Sequence, residues 1–167
     1  MKLAFCLWNL IRRRFTAQTL QAIMNNMPSF TSSLTVSIEW GYCDPAGLLA
    51  SRRYFEIFDR SSWLLFEAAL GVKPHELGKK YGILGIPLVD VHATFLRPIK
   101  FGDTIEITSR VSEFRRSSFA IEHKLTLDGQ PASEGIETRV WAKLDAVTQK
   151  MGAIPIPPEI MVRFGTA

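Results

Sequence analysis

Ser51-Arg-Arg-Tyr-Phe-Glu-Ile-Phe-Asp-Arg-Ser-Ser-Trp-Leu-Leu-Phe-Glu-Ala-Ala-Leu70 runs for twenty residues without a glycine or a proline. Tyr54, Ile57, Phe58, Leu64, Leu65, Ala68 and Ala69 mostly keep i, i+3, i+4 spacing, which predicts a helix with one apolar stripe. Ser51 is the expected N-cap and Gly71 the expected C-terminal stop. At 1.5 Å per residue such a helix is about 30 Å long, enough to cross a small domain.

The residues around this helix read mainly as strands. Leu34-Thr-Val-Ser-Ile-Glu-Trp40 alternates apolar and polar, the period of a half-buried strand, and Gly41 to Gly47 then breaks it as a loop. Pro74 to Tyr81 is expected as a short second helix closed by Gly82. Beyond Pro87, four alternating segments follow, over Val89 to Phe95, Thr104 to Val111, Phe119 to Leu127 and Ile136 to Leu144. Asp128-Gly129 marks a hairpin turn, and Ile136, Thr138, Val140, Ala142 and Leu144 form one face of the last strand. The proline-rich stretch Ile154 to Pro158 is expected to end regular structure, and no internal repeat is visible. One long helix must cover a five-stranded sheet, so the economical fold is α+β: an antiparallel sheet curved around a central helix. A ferredoxin-like split would need a second long helix among the last strands. One helix covers only part of such a sheet, so a homodimer is expected.

Length, composition and charge narrow the function. The chain has 167 residues, 47% hydrophobic and 22% charged, which is the make-up of one globular domain. The apolar runs fall short of the ~20 residues that a membrane span requires, so no stable membrane association is expected. The net charge of +4 is carried by Lys2, Arg12, Arg13 and Arg14, the only charged side chains before Glu39. From Glu39 onward, 16 basic residues face 16 acidic ones, and a nucleic-acid surface is not supported. Cys6 and Cys43 supply neither a disulfide framework nor a zinc site, and a reducing, cytoplasmic setting is expected.

Residues 1–30 read as a basic extension, disordered or an overlong start, ahead of a domain over 31–167. The triple arginine follows the apolar run Leu3 to Ile11, whereas a secretory signal places its charge first. Met24 and Met27 are alternative starts.

The segment Tyr42-Cys43-Asp44-Pro45-Ala46-Gly47 feeds the N-terminus of the long helix. A helix N-terminus offers unpaired N–H groups and a positive dipole end, able to hold a carbonyl oxygen as it gains charge. Asp44 beside it can attack or activate water, and Gly47 lets a ligand approach the backbone. Equally, Asp44-Pro45 can start a turn in which the aspartate bonds its own backbone, which spacing alone favours.

This segment resembles the Asp-Pro-Ala-Gly signature of the 4-hydroxybenzoyl-CoA thioesterase family, a hotdog fold. The similarity continues through Tyr54, Asp59, Gly82 to Pro87 and Glu113 to Phe119, over roughly residues 34–160. The resemblance implies Asp44 as the catalytic carboxylate, with the backbone N–H at Ser51 polarising the thioester carbonyl. It implies Asp59 as the carboxylate that reads a phenolic hydroxyl on the acyl ring, and Gly47 and Ser118 as further substrate contacts. Arg115 and Arg116 fall where CoA phosphates are met, a role the guanidinium fork suits. It implies no cofactor beyond the CoA of the substrate, no metal, and a site shared between the subunits of a homodimer or homotetramer.

Departures from the family pattern bear on the acyl group. Ala50 and Ser51 replace aromatic residues before the helix, Arg53 and Ser117 stand where Asn and a basic residue are common, and Ile86 replaces a Thr. Arg53 is read as a solvated charge or a replacement phosphate contact. His75, His92 and His123 lack metal-ligand spacing, and His92 and His123 read as structural. Cys43 has no His or basic neighbour to activate it and reads as packing. The expected activity is hydrolysis of an aromatic acyl-CoA, first 4-hydroxybenzoyl-CoA. The alternatives are a fatty-acyl-CoA or carrier-protein thioesterase, or a non-catalytic acyl-CoA binder.

Overall fold

The structure is a computed structural model that describes residues 29–165. The elements run β1 (Thr31–Ser37), a 3-10 turn (Trp40–Tyr42), α1 (Ser51–Leu70), α2 (Pro74–Tyr81), β2 (Leu88–Phe95), β3 (Thr104–Phe114), β4 (Ser118–Leu127), β5 (Gln130–Val140), β6 (Ala142–Leu144), β7 (Met151–Ala153) and α3 (Pro158–Arg163). Five strands form one antiparallel sheet in the order β1-β3-β4-β5-β2, with α1 packed against one face. This is the expected α+β hotdog arrangement. β6 and β7 pair separately. The expected basic extension over 1–30 lies outside the described residues except for Ser29 and Phe30. Phe30 already belongs to the domain, donating its N–H to the Phe164 carbonyl at 2.9 Å.

α1 spans the residues the sequence predicts, with two corrections. Ala50 is the N-cap and Ser51 the first helical residue, because the chain is still extended at Ala50 and no side chain caps this end. Gly71 closes the helix at φ +62, the left-handed conformation glycine tolerates best. The buried stripe is Tyr54, Ile57, Phe58, Ser61, Ser62, Leu65, Phe66, Ala69 and Leu70. Two serines therefore sit where the sequence reading placed Leu64, and Ala68 is exposed.

Those serines divide the core. Toward the start of α1, Val36, Ile57, Phe58, Ile105, Ile107 and Leu125 pack together. Toward its end, Phe66, Val111, Phe119, Ile121, Trp141 and Phe164 form a second cluster. Between them runs a buried polar belt of Ser61, Ser62, Ser109, His123, Glu137 and Arg139.

The strand reading needs further corrections. The first strand is Thr31–Ser37, so its last three predicted residues leave the sheet, although Ile38 stays buried. The final predicted strand is split at Trp141. Along β5 it is Gly135, Glu137 and Arg139 that turn inward, while Ile136 is 48% exposed. Polarity alone assigns the opposite face, because an ion pair formed inside the core, here Glu137 with Arg139, is invisible to hydrophobic periodicity. The proline-rich stretch does not end regular structure: α3 follows it and buries Ile160. The Asp128-Gly129 turn is as expected, with φ +51 and +71, the signs of a type I′ hairpin.

Candidate active site

The loop from Trp40 to Leu49 is sewn to its surroundings by backbone bonds. Asp44 N–H donates to the Leu48 carbonyl at 2.8 Å, and Gly47 N–H donates to the Asp44 carbonyl at 2.9 Å. Gly47 sits at φ +76, which turns the chain back toward the helix. Leu49 N–H donates to the Ile99 carbonyl at 2.8 Å, and Ala50 N–H to the Tyr42 carbonyl at 3.0 Å. Loop, helix N-terminus and the segment after β2 are thereby locked together.

The structure shows the turn reading of Asp44. Its Oδ1 accepts the N–H groups of Ala46 at 2.9 Å and Leu48 at 3.1 Å, which is the aspartate turn. Its Oδ2 has no hydrogen bond among the described residues. The turn fixes one carboxylate oxygen and leaves the other unbonded. Asp44 and Ser51 line one open cleft of about 420 Å³ with Leu48, Tyr54, Phe95 and Arg97. The Ser51 N–H, in the first turn of α1, is taken by no acceptor among the described residues. Tyr54 is buried, packs edge-on against Phe95 at 4.6 Å, and has its hydroxyl pKa raised by that burial.

Arg53 is neither a solvated charge nor a free phosphate contact. Its guanidinium lies over the Tyr42 ring at 5.0 Å, donates to the Gly41 carbonyl at 3.1 Å and pairs with Glu56. It braces the loop that carries Asp44. Arg97 is a cleft cation that the sequence reading missed; only the chain's return past the cleft after β2 brings it there.

The other expected site residues lie elsewhere in the chain. Asp59 is absent from this cleft; eight residues beyond Ser51, it stands about 12 Å along the helix. Arg115, Arg116 and Ser118 sit on the β3–β4 hairpin, and neighbouring Phe119 packs on Phe66 at 5.1 Å. Phe66 is fifteen residues into α1, about 22 Å from its start. Arg115 lies exposed in a two-bond pair with Glu113, at 2.8 and 3.1 Å, which raises its pKa. Arg116 is exposed, its carbonyl accepting the Ile156 N–H at 2.9 Å.

His123 is structural, as the sequence reading has it. Its Nδ1 meets Ser109 Oγ at 2.7 Å, Nε2 lies 3.5 Å from Glu137, and the ring stacks on Phe58 at 4.8 Å. Burial pushes the Glu137 pKa up, but bonds from His123, Arg139 and Ser62 outweigh it and hold the carboxyl at about 2. Its Oε1 has no partner among the described residues. His92 pairs with Asp90 at 3.1 Å on the exposed face. Among the described residues no group of three or more His, Cys, Asp or Glu could hold a metal, and no helix is long and apolar enough to cross a membrane.

Comparison with known proteins gives this geometry its setting. Residues 38–164 match the model of the thioesterase-like superfamily. The chain belongs to that superfamily. It is 30% identical over 128 residues to the 4-hydroxybenzoyl-CoA thioesterase of Pseudomonas sp. strain CBS-3, covering 73% of this chain and 89% of the relative. The solved structure of a 4-hydroxybenzoyl-CoA thioesterase from that strain superposes with a TM-score of 0.74 at 27% identity, covering 81% and 99% of the two chains. A gentisyl-coenzyme A thioesterase matches at 0.67 and 28%, covering 77% and 98%. With these relatives and the hotdog fold, the protein is an enzyme, a thioester hydrolase.

Proposed function

We propose that the enzyme hydrolyses an aromatic acyl-CoA, 4-hydroxybenzoyl-CoA or a close analogue, to the free acid and CoA. The observation that carries this is Asp44: one oxygen held by two backbone N–H groups, the other free in a cleft beside the unpaired Ser51 N–H. A thioester carbonyl set against that N–H loses electron density to it and becomes electrophilic. Oδ2 then attacks the carbonyl carbon, the C–S bond breaks, CoA leaves as the thiolate, and water cleaves the aspartyl anhydride. In the general-base form, Oδ2 instead takes a proton from the water that attacks. Either route needs no metal, and activity should survive EDTA.

CoA enters through phosphate recognition by Arg115 and Arg116, with Ser118 beside them. They lie about 22 Å along the helix from the cleft of their own chain, so a second subunit completes the site. β2 is a sheet edge, with Leu88, Val89 and Phe95 exposed on it or at its end. Pairing β2 with its copy about a two-fold axis sets the two helices antiparallel. The cleft end of one protomer then lies alongside the hairpin end of its partner. We read the enzyme as a homodimer, able to pair further into a homotetramer, and cytoplasmic.

The test is free-CoA release from 4-hydroxybenzoyl-, benzoyl-, phenylacetyl- and hexanoyl-CoA by wild type and Asp44→Asn. Aryl turnover that falls by about 10²–10⁴ in the variant, at unchanged melting temperature, supports the reading. A preference for hexanoyl-CoA would move it to the fatty-acyl alternative, which the apolar lining of Leu48 and Phe95 would accommodate. Binding without turnover of any ester would leave a binder.

A further inference from the structure

The polar belt that divides the core ends at a single half-exposed carboxylate. From the β3 side, Ser61 and Ser109 bond at 2.6 Å, Ser109 meets His123, and Ser62 donates to Glu137 at 2.6 Å. Glu137 accepts from Arg139 Nε at 2.8 Å, and Arg139 Nη2 donates to Asp59 Oδ1 at 2.6 Å. Arg139 Nη1 donates to the Ile86 carbonyl at 3.2 Å, and the guanidinium lies 5.9 Å from the Trp63 ring. The Arg139 side chain is 2% exposed and that of Glu137 1%, whereas Asp59 is 51% exposed.

An apolar set of similar volume often serves a core equally well, since an ion pair must first lose its water. The fork does achieve fixed placement. Three donors directed at three acceptors leave the guanidinium one position, and Asp59 Oδ1 is held with it. Oδ2 of Asp59 has no hydrogen bond among the described residues. Arg139 faces both Glu137 and Asp59, so the trio carries one uncompensated negative charge, and its exposed end is Asp59.

We infer that Arg139 is a positioning residue for acyl-group selection: by holding Asp59 it makes the enzyme favour aryl thioesters whose ring bears a hydrogen-bond donor over the bare ring. This rests on the function proposed above. Asp59 and the cleft of its own chain are about 12 Å apart along α1, so carboxylate and acyl ring meet through the dimer. An acceptor fixed in place discriminates against a ring with nothing to donate, because the site's polar atom then loses water without gaining a partner. A loosely held one turns to solvent and discriminates little.

The test compares kcat/KM for 4-hydroxybenzoyl-CoA and benzoyl-CoA in wild type, Asp59→Asn, Arg139→Lys and Arg139→Gln, with a thermal melt of each. Lysine keeps a charge beside Glu137 but has no fork to hold three acceptors together. The hydroxylated-to-bare ratio is expected to fall about tenfold in Arg139→Lys and as far in Arg139→Gln as in Asp59→Asn, with benzoyl-CoA turnover of Arg139→Lys within about threefold of wild type. Combining Arg139→Lys with Asp59→Asn should lower the ratio no further than Asp59→Asn alone. If both esters slow in equal proportion in Arg139→Lys while Asp59→Asn loses the ratio, Arg139 is a structural residue only and the inference is overturned. If Arg139→Gln does not fold, Arg139→Lys decides alone, an unchanged ratio refuting the inference. An unchanged ratio in Asp59→Asn overturns the inference at its acceptor. Absent turnover of either ester by wild type is the separate failure of the proposed function, and the inference falls with it.

Discussion

Replacing Gly135 by alanine puts a methyl group into space already filled by the Phe58 ring. A Cβ built on Gly135 would lie 2.5, 2.8 and 3.0 Å from three carbons of that ring, where real Cβ contacts are essentially never below 3.0 Å. Gly135 has no positive φ, so the requirement is for room, not for backbone freedom. Nor can the ring step aside. Phe58 is 0% exposed, stacks on His123 with the planes 7° apart, and meets Phe55 edge-on. Either β5 retreats from the helix or Phe58 leaves its rotamer. Overpacking of this kind costs about 1–3 kcal/mol, and with three ring atoms in conflict we expect about 2–3. For a domain of this size that lowers the melting temperature by about 5–10 °C. The assay is a double-mutant cycle by urea denaturation with Gly135→Ala, Phe58→Leu and both. Leucine takes back the volume the methyl needs, so the double variant should be more stable than the sum of the singles by about 1 kcal/mol or more. Additive losses, or Gly135→Ala unfolding with wild type, would refute this account of the helix–sheet contact.

Acid stability should depend on Glu137. Its carboxyl is held at about 2 in the fold and returns to about 4.3 when unfolded, so its contribution is complete above the unfolded value and lost as pH falls from about 4.5 to 2. The urea midpoint of wild type should fall through that window and that of Glu137→Gln should change less; parallel curves would show that the bonds to Glu137 do not shift its titration. Arg53→Met removes the bond to the Gly41 carbonyl and the contact with Tyr42, so we expect a loss of about 1 kcal/mol and a several-fold lower kcat. Full kcat in that variant would mean that the Asp44 loop holds its shape unaided. Val89→Lys places like charges across the proposed β2 pairing, and sedimentation should shift from the dimer toward the 18.8 kDa chain; an unchanged dimer would locate the interface elsewhere.

The sequence by itself determined the order of the main elements, one strand, the long helix, the short helix and four later strands. Ser51–Leu70 as a helix needs only local spacing and the absence of glycine and proline, and the short links between later strands allow little but antiparallel pairing. It marked Asp44 by resemblance, and its turn-forming role by chemistry that acts within four residues. Tertiary structure decided whatever depends on partners distant in the chain. His123 reads from sequence as a structural strand residue, but its partners Ser62 and Glu137, 61 and 14 positions away, are brought to it only by folding. Periodicity therefore assigns β5 the opposite face: it counts apolar residues, and here Glu137 and Arg139 turn inward as an ion pair. The same limit governs the candidate site. Asp44 and Ser51 share a cleft because they are seven positions apart, whereas Asp59 stands about 12 Å along the rigid helix and the hairpin arginines lie on the β3–β4 turn beside its far end, about 22 Å from its start. A straight helix cannot fold back on itself, and so the proposed site would take its distant residues from a second copy of the chain.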